Sequence, residues 1–499
     1  MAYDAGKPVE AKQVLIIGSG FAGLGMAIKL REAGIEDFQI LERGSDVGGT
    51  WRDNHYPGCA CDVQSHLYSF SFEPNPDWTR MFARQPEIRA YLEKCASKYD
   101  LRRHIVFGAN VQNARYDETA AMWTVTTEDG RSFKGSVLVS GMGGLSNPAM
   151  PNVKGLEKFK GKAFHSAHWD HNYDLTGKKV AVIGTGASAI QFVPQLQKVA
   201  GRVDLYQRTA PWIMPKPDRE IGQIERVLYR KFPALQNAYR TAIYWMLESR
   251  VLGFAVNPKL MTMVEGIARG HIRKQIKDPA LRAKVTPDYT IGCKRILISN
   301  DYYPALAQDN VEVITDNIAE VRANSIVDGN GVERKVDAII YGTGFKAQDP
   351  MPRGTVFGKG GVDLLDAWKN GPEAYLGLSV AGFPNFFMLV GPNTGLGHNS
   401  MVFMIESQVA YVMDALKTMK AKKLRAVDVK PDAQVTFNKG IQGQLSKTVW
   451  TSGCKSWYVD ANGKNTTLWP GFTFVYRGKT RRFKAGQYQL ETAAAAAAA

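Results

Sequence analysis

No stretch of this chain stays apolar for long enough to cross a membrane. A spanning helix needs about 20 mostly apolar residues, and the most apolar helical stretch, Ala238 to Val256, is broken by Arg240, Glu248 and Arg250. The N-terminal MAYDAGKPVEAKQ is polar and has no signal-peptide core. Cysteine is scarce: Cys59, Cys61, Cys95, Cys293 and Cys454 are all there is. An odd, scattered set in a long chain predicts reduced thiols and a cytoplasmic location. Cys59 and Cys61 are spaced CxC, not CxxC, which argues against a disulfide reductase. Zinc-ligand spacing is missing. So is any basic stripe or recognised nucleic-acid module, so the net charge of +16 implies no nucleic acid. It reads as solvated surface or as a field that draws in phosphate-bearing ligands.

What is present is length and glycine. The 499 residues, 44% hydrophobic and 22% charged, are enough for two or three domains with buried cores. Val14 to Ile17 reads as a buried parallel strand, and VLIIGSGFAGLG carries Gly18, Gly20 and Gly23. Gly18 turns the chain, Gly20 admits a pyrophosphate, and Gly23 lets the helix from Phe21 to Ala33 pack on the strand. The turn residues Gly18, Gly20, Phe21, Ala22 and Gly23 then form a dinucleotide cradle at a helix N-terminus. A second strand, Phe38 to Leu41, ends in Glu42, which can accept hydrogen bonds from ribose hydroxyls and would repel a 2′-phosphate. This site suits FAD or NAD, and of the two it is read as the FAD site.

VAVIGTGASA repeats the turn, with Gly184, Thr185, Gly186, Ala187 and Ser188 in the loop and Ala189 in the third place. The next strand, Val203 to Tyr206, ends in Gln207-Arg208. Gly18 to Glu42 is 42 − 18 = 24 positions and Gly184 to Arg208 is 208 − 184 = 24. By that count an acid in the first unit is matched by a guanidinium in the second, whose planar fork suits a phosphate. The second site therefore suits NADPH.

The expected fold class is α/β, with two Rossmann-like dinucleotide-binding domains, the NADPH domain inserted in the FAD domain. The boundaries read 1–148 (FAD domain, first segment), 149–336 (NADPH domain), 337–492 (FAD domain, second segment, and tail) and 493–499 (tag or unassigned alanines). Helical periodicity marks an insertion at about 220–284. Its Tyr239, Tyr244, Trp245 and Met246 are read as helical core, with a substrate entrance or a membrane surface as alternatives. Ala338 to Phe345 is read as the strand that returns the chain to the FAD domain. A turn at Gly391 to Gly395 leads into a helix from about Ser400, whose N-terminus suits the negative charge of a reduced flavin. His398 reads as structural.

Between the two turns lies FKGKAFHSAHWD: Phe159-x-Gly161-x-x-x-His165-x-x-x-Trp169-Asp170. A second pattern, Gly48-Gly49-x-Trp51, then Tyr56-Pro57-Gly58, then Asp62, precedes it. Together with Gly292-Cys293-Lys294-Arg295 these resemble the fingerprints of the Baeyer–Villiger monooxygenases, flavoenzymes that insert one oxygen atom of O2 beside a carbonyl. The resemblance spans most of residues 12 to 485. It implies that Arg295 is the active-site arginine, positioned by Asp62, and that Lys294 joins Arg208 on the 2′-phosphate. It also implies FAD contacts from Gly49, Thr50, Trp51, Asp62, Tyr68, Val111 and Met401, NADPH contacts from Gln207 and Arg295, and a cover over NADPH from Trp457. The implied cycle runs through a C4a-peroxyflavin to an ester or lactone, with a ketone or sulfide and O2 as substrates and the chain a monomer or small homo-oligomer. A related flavin monooxygenase acting on nitrogen or sulfur, and a non-oxygenating NADPH–flavin reductase, are the alternatives.

Overall fold

The computed structural model describes residues 10–346, 351–454, 456–460 and 462–492. Most of the N-terminal segment and the terminal alanines read above lie outside the described residues. The apolar run Val14 to Ile17 forms the centre of the strand Lys12–Ile17, with Val14, Leu15 and Ile16 fully buried. It pairs in parallel with Phe38–Leu41 on one side and with Ser132–Ser140 on the other. Ile105–Val106 extends the sheet beyond Phe38–Leu41. Met122–Thr127 and Val111–Asp117 extend it beyond Ser132–Ser140 as an antiparallel meander. The late strands Val356–Phe357 and Phe386–Met388 join the same sheet. The chain therefore leaves this sheet and comes back to it.

In between it builds a second sheet of five strands, all parallel, ordered Val311–Ile314, Arg202–Tyr206, Lys179–Ile183, Ala338–Tyr341 and Lys162–His165. The run Ala338–Tyr341 was expected to open the returning FAD segment. It lies instead inside this second sheet, between Lys179–Ile183 and Lys162–His165. Four buried apolar residues in a row suit a central parallel strand wherever it falls, so its composition could not say which sheet it joins.

The helix Phe21–Glu32 is buried along almost its whole length. It packs between the first sheet and the long helix Met401–Ala421, whose N-cap Ser400 accepts a hydrogen bond from the Val402 N–H at 3.2 Å. The insertion forms four helices, Gln223–Lys231, Pro233–Glu248, Met261–Gln275 and Pro279–Val285. It is clasped to the first unit by buried charge. Arg240 donates to the His66 carbonyl at 2.6 Å and to Ser69 at 3.2 Å. The Glu248 carboxylate accepts from Asn399 at 2.6 Å and from the Thr473 hydroxyl at 2.9 Å. His398, buried 3.7 Å from Glu248, belongs to this clasp, as a structural residue would.

Candidate active site

The first glycine turn is built for close backbone approach. Gly18 has φ +92°, and a Cβ on Gly23 would sit 1.8 Å from the Gly18 carbonyl oxygen. Only hydrogen fits there. The helix begins at Phe21 without a side-chain cap, which leaves its first N–H groups for a ligand. Gly49, at φ +51°, packs against Gly20 so closely that a Cβ would meet the Gly20 Cα at 3.0 Å. Thr50 and Trp51 open the short helix behind it. Trp51 donates to the Tyr68 hydroxyl at 3.2 Å, and Tyr68 meets Phe21 edge-on with 5.2 Å between ring centres.

Glu42 ends the neighbouring strand, nearly fully buried. Its carboxylate accepts from the Ser19 N–H (2.8 Å), the Ser19 hydroxyl (2.7 Å), the Gly44 N–H (2.7 Å) and Arg52 (2.7 Å). Burial alone would raise its pKa. The Arg52 charge and these donors together bring it below the ordinary carboxylate range. Arg52 had no signal in the sequence. Val111 starts its strand half-buried nearby, next to Asn110. Asn110, Arg43, Arg52, Phe164, Trp169 and Asp170 help line a groove of about 950 Å³ beside this turn.

The second turn repeats the first in detail. Gly184 has φ +106°, and a Cβ there would lie 2.4 Å from the Gly342 carbonyl. Gly186 and Ala187 are exposed. Thr185 is buried, bonding the Thr209 carbonyl at 3.1 Å. The strand register corrects the spacing argument. Ile17 pairs with Leu41, and Ile183 with Tyr206. The N–H of Glu42 bonds the third strand at Val106, and that of Gln207 bonds it at Ile314. The counterpart of Glu42 is therefore Gln207, not Arg208, because the second unit is one residue shorter between its strands. Gln207 is buried, with its amide donating to the Lys284 carbonyl at 2.7 Å. It packs beneath the insertion. Arg208, the next residue, is exposed and makes no ion pair among the described residues. Lys294 lies near enough for the Arg208 charge, after burial, to lower its pKa. Its ammonium sits 4.6 Å from the Tyr289 ring centre and has no carboxylate partner among the described residues. Asp288 lies near enough to offset part of this field, but neither cation is held in an ion pair among the described residues, and two such neighbouring cations suit an anion.

Asp62 and Arg295, 233 residues apart in sequence, meet as a hydrogen-bonded ion pair. Burial pushes the Asp62 carboxyl up, but the Arg295 guanidinium outweighs it and holds the carboxyl below its usual range. Asp62 in turn raises the Arg295 pKa. Roughly a third of each side chain stays exposed (35% and 32%), so the pair is partly open to solvent and not sealed. Sequence reading missed three neighbours that share this field. Lys216 and Arg250 both feel the Asp62 carboxylate. Tyr458 couples to Arg295, and burial pushes its phenol up to about 12.

One expectation about the cysteines and one about the insertion change. Cys293 and Cys454 form a disulfide across a sequence separation of 161, their Cα atoms 6.2 Å apart, so the five thiols are not all reduced. Nothing in the spacing foretold it; the fold brings the two loops together. The bond ties the Lys294-Arg295 segment to the loop that carries the exposed Trp457. Cys59, Cys61 and Cys95 are free and buried, and burial lifts the Cys59 thiol to about 12. Trp245 and Met246 are not core: they are 55% and 49% exposed. The fingerprint itself stands apart from the ion pair. Lys162–His165 is an edge strand, Trp169 packs on Phe164 and Phe192, and Asp170 binds Lys162 at 2.5 Å. His171 meets His55 at 2.9 Å, which joins the fingerprint to the segment leading to Asp62. Met401 begins the long helix, half-buried against the core. No group of three or more metal-ligating side chains occurs among the described residues.

Two dinucleotide turns on two sheets, with a cation pair at the second and an Asp–Arg couple between them, define a flavoprotein that uses a nicotinamide dinucleotide. Residues 11–356 match the family model for flavin-binding monooxygenase-like proteins. The chain is 60% identical over 487 residues to a Baeyer–Villiger monooxygenase of Pseudomonas aeruginosa, covering 97% of this chain and 92% of that one. It is 50% identical over 483 residues to a Baeyer–Villiger monooxygenase of Streptomyces coelicolor, covering 96% and 93%. Among solved structures it resembles an oxidized steroid monooxygenase bound to NADP (TM-score 0.86, 30% identity, 97% and 100% covered). It also resembles OTEMO in complex with FAD and NADP (TM-score 0.86, 28% identity, 97% and 100% covered). The chain belongs to the Baeyer–Villiger monooxygenases within that flavin-binding family: it is an FAD-containing, NADPH-dependent enzyme acting on a small molecule and O2. No helix among the described residues is long and apolar enough to cross a membrane.

Proposed function

We propose that Arg295 is the catalytic residue of ketone oxygenation in this chain and that Asp62 positions it. The observation that carries the reading is their ion pair, formed between the loop after the first turn and the segment before the strand Leu297–Ile298, 233 residues apart in sequence. FAD, once reduced by NADPH, supplies the activation of O2. The protein residues then manage charge. Arg295 stays protonated at any working pH, because its pKa is raised further by Asp62. Its guanidinium offers fixed N–H donors to the negative charge that develops as oxygen adds to a ketone carbonyl, and such preorganised donors lower the barrier. Asp62, held ionised, fixes the orientation of that fork. The product is an ester or a lactone.

The cofactor cradles fit this assignment. The side-chain-free contact of Gly20 with Gly49 and the uncapped helix at Phe21 suit the pyrophosphate of FAD. Glu42 would exchange one protein donor for a ribose hydroxyl. The Arg208–Lys294 pair, with Gln207 where the first unit has an acid, suits the 2′-phosphate of NADPH. Trp457, exposed on the loop tied to Cys293, would serve as the cover over NADPH.

The test supplies the purified holoenzyme with NADPH, isotopically labelled O2 and a panel of cyclic and linear ketones. Label should appear in an ester or lactone, one atom per NADPH consumed. Arg295→Ala should keep FAD and still consume NADPH, but release hydrogen peroxide with no ester. If Arg295→Ala forms ester within tenfold of the parent rate, the assignment is wrong.

A further inference from the structure

The helical insertion exposes apolar side chains as well as burying them. In a surface helix the apolar stripe faces the core and charge faces water. The helix Pro233–Glu248 carries two charged residues, Arg240 and Glu248, and both point inward, into the clasp described above. Its outward positions carry no charge: Leu235, Ala238, Ala242, Trp245 and Met246 are exposed there, with Asn237 and Thr241 the polar residues between them. The helix Gln223–Lys231 exposes Ile224, Val227 and Leu228, spaced i, i+3, i+4, with Lys231 completing the stripe. In Met261–Gln275, Met263 is 72% and Ile267 54% exposed, and Lys274 follows on the same face. Phe474, on the helix Thr473–Thr480, touches Trp245 with 5.8 Å between ring centres. Of the 22 exposed large hydrophobic residues among the described residues, 12 fall between Ile224 and Ile267. That concentration separates a patch from the scattered apolar residues of any surface.

Charge identifies the partner. Residues 220–284 hold 12 Lys and Arg against 5 Asp and Glu, a net of 12 − 5 = +7 out of the +16 of the whole chain. Lys231, Lys259, Arg273, Lys274 and Lys277 are exposed and make no ion pair among the described residues. Nor do Lys479, Arg481 and Arg482, beyond Phe474 on the tail. A second copy of this surface would set cations against cations. An anionic lipid surface satisfies both features at once: apolar side chains enter the headgroup boundary and lysines meet lipid phosphates.

We propose that the insertion and the tail helix Thr473–Thr480 form a peripheral docking face for anionic bilayers. The inner side of the insertion packs against the segment that carries Arg295. A Cβ on Gly292, three residues before Arg295, would touch Met261 at 3.0 Å and Phe254 at 3.1 Å. Docking would thus bring the Arg295 segment near ketones dissolved in the bilayer, a consequence that rests on the Arg295 reading; the docking itself does not.

The test is co-sedimentation of the FAD- and NADP+-loaded enzyme with vesicles, without substrate. Vesicles of phosphatidylglycerol and phosphatidylcholine should pull the enzyme down, and pure phosphatidylcholine at least tenfold less. Raising salt should release it. The double variant Ile224→Glu, Trp245→Glu should lose at least tenfold in partitioning, yet keep FAD and its rate on a water-soluble ketone. Lys231→Glu with Lys274→Glu should weaken binding without touching the apolar stripe, a check against misfolding. Equal binding to both lipids, no binding at low salt, or a parent dimer that Ile224→Glu, Trp245→Glu turns into a monomer would each overturn the proposal.

Discussion

Replacing Arg208 by Ala removes one of two cations from an anion site and nothing else that is visible. The side chain is exposed and makes no ion pair or hydrogen bond among the described residues, so folding should not change. Its removal also relieves Lys294, whose pKa Arg208 and burial hold down. A hydrogen bond to a charged group contributes about 1.5–3 kcal/mol, and about 1.4 kcal/mol is tenfold. Arg208→Ala should therefore raise the KM for NADPH about 10- to 150-fold. NADH lacks the 2′-phosphate, so its KM should move less than about threefold. Lys294→Ala should behave alike, less strongly where the half-buried stem also packs on Tyr289. The site is open to solvent, so added salt should weaken NADPH binding in the parent and much less in Arg208→Ala. Steady-state oxidation of both cofactors at two salt concentrations is enough. A parallel rise in KM for NADPH and NADH would refute the argument, because it would mean that Arg208 holds a part common to both.

Gly23→Ala should destabilise by about 3 kcal/mol or more, since its Cβ would lie 1.8 Å from a backbone oxygen and the turn must shift; thermal melts and bound-flavin absorbance should fall together. Burial holds His66 and His165 at about 4, below the 6.5 of the unfolded chain. A depressed histidine favours the neutral fold, so its contribution is complete above about pH 6.5 and is lost as pH falls towards 4, at about 1.4 kcal/mol per pH unit per histidine. Urea midpoints should drop between pH 6.5 and 4.5, less steeply in His165→Asn; an unchanged slope would count against it. Peptide mapping without reductant should find Cys293 joined to Cys454. Cys293→Ser should raise the NADPH KM by loosening the Trp457 loop while FAD content stays constant, and equal kinetics would sever that link.

Much of the fold was legible because strand composition and glycine geometry are local. Lys12–Ile17, Phe38–Leu41, Lys179–Ile183 and Arg202–Tyr206 follow from short apolar runs beside glycine turns. What failed was whatever depends on register or on distant loops. Counting residues matched Glu42 to Arg208, and the strand pairing matches it to Gln207, because one residue of loop length cannot be seen without the partner strand. The buried run Ala338–Tyr341 gave its type but not its sheet. The Cys293–Cys454 bond and the neighbours Lys216, Arg250 and Tyr458 come from contacts between segments far apart in sequence. The Asp62–Arg295 pair was reached only through family resemblance; two adjacent cations and a lone aspartate carry no chemistry by themselves.

That pair has a consequence for how the enzyme is held together. Asp62 comes from the segment after the first turn, and Arg295 from the unit built on the second sheet. Their attraction falls with separation, and water entering between them screens it further. The orientation of Arg295 is therefore a property of how the two units sit, not of either alone. Other contacts cross the same boundary, among them Arg240 on the His66 carbonyl, Glu248 on Asn399 and Thr473, and His55 against His171. The disulfide fixes the Arg295 segment to the returning chain from the opposite end. Glu248 is the most exacting of these, because a buried carboxylate that loses its donors leaves an unpaired charge. Glu248→Gln keeps the shape and removes the charge. If the clasp sets the geometry at Arg295, this variant should lower the ester formed per NADPH and raise hydrogen peroxide, with both cofactors still bound. A loss of FAD, or a full yield of ester, would show that the clasp serves stability alone.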